Sequence, residues 1–148
     1  MRKLLPSIRI YLYKELFEDL PENTVGEKII KLRLMSNNLQ REEFARIIHF
    51  HCDTLEGWEL HNVMPKPENI LKLCEFYHVP LGYFHEYYEL YYNNPGKIVR
   101  VWKDKNSYSY PDTMKLLNIS HSGFARLLSG KTSLSYEMYL KLKGLGAF

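Results

Sequence analysis

The sequence predicts an all-α protein: two small helical domains preceded by an extra N-terminal helix. Three observations carry this expectation. Apolar residues recur at helical spacing, with no sustained alternation of β-branched residues. Prolines, glycines and asparagines cluster in short breaks that cut the periodic stretches into helix-length pieces. The apolar pattern also repeats after a shift of 69 positions, as two copies of one unit would.

The first helix is predicted over about Pro6 to Leu20, where Ile8, Leu12, Leu16 and Leu20 fall four apart on one stripe and Pro21 ends it. This stripe is expected to pack on the next domain. Thr24-Val25-Gly26-Glu27 spells a capping box, the threonine oxygen accepting from an orphan N–H and the glutamate reaching back. A second helix therefore starts here and carries Ile29, Ile30, Leu32 and Arg33. Further helices are predicted near Arg41 to Ile48, Cys52 to Leu60, Pro67 to Tyr77 and Leu81 to Tyr91, separated by Val63-Met64-Pro65 and Val79-Pro80 among the later ones. Asn93-Asn94-Pro95-Gly96 is the strongest break, which places a domain boundary between residues 1–94 and 95–148. Beyond it the first helix is read at Ile98 to Lys105, the second at Tyr110 to Leu117 and the third at Ser120 to Leu128, with Asn118-Ile119 as the turn and Ser129-Gly130-Lys131 as the end.

Composition narrows the function classes. At 148 residues, with 45% hydrophobic and 25% charged residues, the chain has the make-up of a globular protein able to bury roughly 70% of its unfolded surface, which excludes disorder as its main state. No apolar run reaches the length of a membrane span, and Arg9 interrupts the start where a signal peptide needs its apolar stretch, so a reducing cytoplasm is expected. Cys52 and Cys74 form neither a disulfide framework nor a paired metal motif. His49, His51 and Cys52 lie close together, yet zinc needs about four converging ligands and no second cluster matches, so no metal or other cofactor is expected. No nucleophile elbow, phosphate-binding glycine loop, metalloprotease helix or deaminase signature is present, and no enzyme is expected. Charge is unevenly spread: residues 1–24 are neutral overall, 25–94 carry minus three and 95–148 plus six. A positive C-terminal third attracts polyanions, because each cation that neutralises a phosphate releases a counterion.

Under the 69-residue shift, Ile29, Leu32, Ile47, Ile48, Phe50, Leu55 and Trp58 fall on Ile98, Val101, Leu116, Leu117, Ile119, Phe124 and Leu127. Both halves read as helix-turn-helix units. In the first half, Ile29-Ile30-Lys31-Leu32-Arg33, Leu39-Gln40-Arg41-Glu42-Glu43-Phe44-Ala45, Leu55-Glu56-Gly57-Trp58-Glu59, Pro65-Lys66-Pro67-Glu68-Asn69-Ile70-Leu71-Lys72-Leu73-Cys74 and Val79-Pro80-Leu81-Gly82-Tyr83-Phe84 follow in order. Ala45 is small where two helices cross, and Ile48, Phe50, Leu55 and Trp58 plug the angle between them. Over some 60 residues, Gly26 to Phe84, the segment resembles the lambda-repressor-like, or Cro/repressor-type, helix-turn-helix family of bacterial and phage regulators.

The resemblance implies that the second helix of the motif lies in the DNA major groove, its N-terminal residues at base edges, while the preceding helix crosses the backbone. Those base-reading positions here carry His51, Cys52, Asp53, Glu56 and Gly57, and the family's phosphate-contacting glutamine is replaced by Arg41. Asp53 and Glu56 bring negative charge toward the groove, where a carboxylate accepts from cytosine N4 but otherwise repels phosphate. The loop before Leu39 is one residue longer than the family pattern. The resemblance also implies a partly buried ion pair between Arg33 and Glu59, and the 69-shifted positions hold Trp102 and Leu128, an apolar replacement of both members.

In the second half, Ser120 caps the third helix, Ile119 fills the angle, and Phe124, Leu127 and Leu128 face inward, leaving His121, Ser122, Ala125 and Arg126 outward. Short hydroxyl and imidazole groups at a helix start suit base edges, and an arginine one turn later fits guanine O6 and N7. Tyr108 and Tyr110 flank the second helix where phosphate contacts fall, and Lys131 follows the third. Gly123 is expected to cost its helix about 1 kcal/mol relative to alanine. Tyr83, Phe84, Tyr87, Tyr88, Tyr91 and Tyr92 form an aromatic stripe that serves either internal packing or a homodimer interface. The expected function is a sequence-specific, double-stranded DNA-binding transcriptional regulator of bacterial or mobile-element origin, with bases read by the C-terminal motif. The alternative is a protein-interaction module, such as an antitoxin, an anti-repressor or a nuclease inhibitor, that keeps the fold with little base readout.

Overall fold

The computed structural model describes the backbone of residues 6–148 and the side chains of residues 12–148. Within that span the chain is all helix, without strands. It divides into two compact units, residues 1–85 and 86–148. The first unit contains α1 (Pro6–Phe17), α2 (Val25–Met35), α3 (Arg41–Ile48), α4 (Cys52–Leu60), α5 (Pro67–Tyr77) and the single turn α6 (Leu81–Phe84). The second contains α7 (Glu86–Tyr92), α8 (Pro95–Lys105), α9 (Tyr110–Leu117), α10 (His121–Ser129) and α11 (Tyr136–Gly144).

Local chemistry sets the ends of these helices. Thr24 Oγ1 accepts from the Glu27 N–H at 3.1 Å and a Glu27 carboxylate oxygen accepts from the Thr24 N–H at 3.2 Å, so the predicted capping box starts α2. Ser109 and Asp112 build a second such box at α9, and Ser120 and Ser135 cap α10 and α11 through the N–H groups of Gly123 and Met138. The tight turns after α3 and α9 are made by His49 (φ 61°) and Asn118 (φ 49°), each in the left-handed region.

The two units repeat one arrangement of helices. α2 and α8 have 11 residues each, α3 and α9 have 8, and α4 and α10 have 9. After the first loop the shift is 69, as the sequence predicts: Leu55 and Phe124 are fully buried, as are Phe44 and Thr113, while Ile48 and Leu117 face the same cores. Before that loop the shift is 70, because 36–40 connects α2 to α3 with one residue more than 106–109 connects α8 to α9. Gly26 and Ile29 therefore correspond to Gly96 and Val99, not to Pro95 and Ile98. Trp102 is buried, but it stands at the place of Leu32 and not of Arg33.

Close backbone contact occurs at the same place in each unit. A Cβ on Gly26 would collide with the Trp58 carbonyl oxygen, and one on Gly96 would collide with the Leu127 oxygen and lie 2.7 Å from that of Leu128. Only glycine lets α2 rest on the end of α4, and α8 on the end of α10.

Several expectations are corrected. The α1 stripe is not the inward side: Leu12 and Leu16 are 47% and 65% exposed, Tyr13 and Phe17 are the partly covered residues with their rings stacked at 6.3 Å, and the partly covered Leu20 lies beyond the helix, which ends at Phe17. The side chain of Ile8 lies outside the described residues. The predicted helix Leu81 to Tyr91 is broken at His85, whose backbone is extended (φ −169°, ψ 145°), into α6 and α7. The division between units falls at this break and not at Asn93–Gly96, because α7 belongs to the second core. Tyr88 is fully buried, the Tyr87 hydroxyl donates to the Leu134 carbonyl at 2.8 Å, and the Tyr139 hydroxyl donates to Glu86 at 3.0 Å. The aromatic stripe is thus divided between the two units. Phe84, Tyr87 and Tyr88 are interior, and Tyr83 is half-covered beside Lys28, its hydroxyl donating to Glu22 at 2.7 Å. Packing within the chain buries Phe84, Tyr87 and Tyr88 and leaves Tyr83 as the accessible member of these four. The sequence reading also lacks α11, although Tyr139 and Leu142, three apart after a serine cap, complete the second core.

Gly96→Ala is expected to destabilise the second unit by about 3 kcal/mol, the upper end of overpacking costs, because the obstacle is backbone. Gly26→Ala should do the same to the first unit. Urea unfolding of each variant checks this, and unchanged midpoints would contradict the crossing geometry.

Candidate nucleic-acid interface

α10 buries Phe124, Leu127 and Leu128 and leaves His121, Ser122, Ala125, Arg126 and Ser129 exposed, a stripe with helical spacing along its outer face. Ser120 is exposed at the helix start. Its Oγ accepts from Gly123 N–H at 3.1 Å and lies 3.4 Å from Ser122 Oγ. His121 is held from one side: its ring lies 5.2 Å from Tyr110, which in turn sits 4.6 Å from Phe124 in the core. Tyr110, expected at a phosphate, thus props His121 on a half-buried ring. Arg126 borders a shallow groove of about 280 Å³ running from Ile119 and Gly123 to Ser135 and Met138. Lys131 follows the helix in an exposed loop tied back by the Thr132 N–H to the Arg126 carbonyl at 3.3 Å. A Cβ on Gly123 would stand 3.1 Å from both Ile119 Cγ1 and Ser120 Oγ, so the glycine makes room for the cap and the turn.

The same face of the first unit has a different chemistry. At the positions of Ser120, His121, Ser122, Ala125 and Arg126 stand His51, Cys52, Asp53, Glu56 and Gly57. His51 and Asp53 are exposed and Cys52 is half-buried. Burial first, then the nearby Glu42 carboxylate, pushes the Cys52 thiol above its ordinary pKa, so it is not an activated thiolate. Among the described residues no group of three or more His, Cys, Asp or Glu side chains is placed to hold a metal.

Arg41 differs from its expected role. Arg33 Nε and Nη2 grip the fully buried Glu59 carboxylate at 2.7 and 3.0 Å, the predicted pair, and Arg33 Nη1 donates to the Leu39 carbonyl at 2.7 Å. Arg41 Nε is the third donor, 3.0 Å from the same carboxylate. Its guanidinium is engaged in the fold and not simply presented to a phosphate. The extra residue in the loop 36–40 lies just ahead of this contact. In the second unit the place of Glu59 is taken by the buried Leu128, and that of Arg33 by Lys103, which turns out to Asp104 at 2.8 Å.

No helix of the described residues is long and apolar enough to cross a membrane. No family model matches the chain, and neither curated proteins nor solved structures give a match.

Removing Glu59 strands two guanidinium groups, one of them buried. Glu59→Ala should cost about 3–5 kcal/mol in unfolding free energy, whereas Arg33→Met with Glu59→Leu should cost clearly less. A double-mutant cycle by urea unfolding measures the difference; equal losses would contradict the triad.

Proposed function

We propose that the chain is a sequence-specific, double-stranded DNA-binding transcriptional regulator, in which α10 enters the major groove and α9 crosses the phosphate backbone. The observation that carries this reading is the contrast between two copies of one face. In the second unit the outer face of α10 offers hydroxyls, an imidazole and Arg126 without a carboxylate, and residues 86–148 hold nine basic against five acidic side chains. In the first, Asp53 and Glu56 occupy the matching helix, with Glu42 beside them. Only the second copy has a field that draws phosphate and donors that suit base edges. Ser120, His121 and Ser122 approach bases at the helix start, Arg126 forks onto a guanine one turn later, and Lys131 neutralises a phosphate. The resemblance of residues 26–84 to Cro/repressor-type regulators supports a DNA-binding ancestry for the repeated unit and not the choice of α10 over α4.

A second reading belongs to the first unit. Its carboxylates on α3 and α4 suit a basic protein surface better than a nucleic acid, which favours a protein-interaction role for that copy of the fold. An antitoxin, an anti-repressor or a nuclease inhibitor would use such a face.

Titration of selected and random duplexes at two salt concentrations separates the readings, since a specific binder prefers its site over bulk DNA by about a thousandfold or more. Arg126→Ala should lose about 1–3 kcal/mol on the preferred site and relax the sequence there, while Lys131→Ala should weaken all DNA alike and lower the salt slope by about one. Equal weak binding to every duplex, or two variants that titrate like the parent, would overturn the DNA reading.

A further inference from the structure

Among the exposed apolar surfaces of the described residues, one on α1 and one on α8 carry opposite charges. On α1, Leu12 and Leu16 are one turn apart on one side of the helix and both are exposed. Glu15, Glu18 and Asp19, all exposed, lie around them. On α8, Ile98, Val101 and Trp102 line an open groove of about 360 Å³ whose rim carries Lys97 and Lys105. Lys97, Val101 and Lys105 fall four apart, so the 58% exposed valine sits between the two lysines on one stripe.

We propose that this groove receives α1 of a second copy of the chain, with Leu12 and Leu16 on Val101 and Ile98, and Lys97 and Lys105 facing the carboxylates of Glu15 and Asp19. Charge complementarity selects this occupant. The groove has apolar walls and cationic ends, and the exposed leucines of α1 have Glu15 on one flank, with Glu18 and Asp19 in the turn just after the helix. Each copy holds both halves of the contact, so one copy's α1 on another's groove is enough to join two chains. Such a pair carries two α10 helices, but its formation does not depend on DNA.

The test is sedimentation equilibrium of the full chain without DNA, from about 1 to 200 μM, where mass action exposes self-association. The expected result is a mass that rises from that of one chain toward that of two. Leu16→Glu and Val101→Glu, both at exposed positions, should each hold it at one chain with unchanged helical circular dichroism. Lys97→Glu with Lys105→Glu should also abolish association, and adding Glu15→Lys with Asp19→Lys should restore it. A single-chain mass at every concentration overturns the proposal, and so does association that survives both Leu16→Glu and Val101→Glu. Neither result bears on the DNA titrations, so the two proposals fail separately.

Discussion

The backbone of α8 at Gly96 lies against the last carbonyl groups of α10 with no room for a side-chain carbon, and Gly26 stands in the same relation to α4. This contact brings the first helix of each unit onto the third. Burying Val99 with Phe124, Leu127 and Leu128 in the second unit follows from it, as does burying Ile29 with Leu55 and Trp58 in the first. Whatever α10 presents to its surroundings is therefore fixed by how α8 holds its other side. A side chain at Gly96 would push the two helices apart and release the packing that keeps Phe124 under Tyr110, and Tyr110 under His121.

Sharing that frame, the two units have diverged where the frame permits. Core positions after the turn keep their burial across the repeat, whereas the outward positions of α4 and α10 have exchanged carboxylates for hydroxyls, an imidazole and a guanidinium. The polar centre of the first core has gone as well. Glu59, gripped by Arg33 and Arg41, is matched by the buried Leu128. Removing the carboxylate is tolerable only where its cations find other partners, since an unpartnered buried charge is costly. The cation at the place of Arg33, Lys103, is only part-covered and pairs with its exposed neighbour Asp104, so no charge is left without a partner there.

Much of this was legible in the residues because it rests on local rules. Helical periodicity, the Thr24–Glu27 box and the capping serine at Ser120 act within a turn or two of chain, and the structure has helices and caps there. The Arg33–Glu59 contact was legible only through the family resemblance. What escaped depends on packing at a distance. The Leu12–Leu16 stripe has helical spacing, but spacing does not say which side of α1 is covered, and Tyr13 and Phe17 are the partly covered residues. Asn93-Asn94-Pro95-Gly96 is a strong chain break, but the unit boundary was set by the tyrosines of α7, whose hydrogen bonds and rings reach α11 and the loop before it. Arg41 has the position of a phosphate ligand and is held by a carboxylate 18 residues away. Tyr110 shows its part only once its ring is placed between Phe124 and His121. The turn-length difference between the copies also hid a one-residue slip, so Val99 and not Ile98 is the interior residue of α8.

The central claim is that base contact is confined to one of two copies of the same face. Amide chemical shifts of the ¹⁵N-labelled chain, followed as a selected duplex is added, test it most directly. The account predicts shifts gathered on Ser120 to Arg126 and around Lys131, with the Cys52 to Gly57 amides nearly still. Shifts concentrated on α4 instead, or a spectrum that does not move, would contradict it.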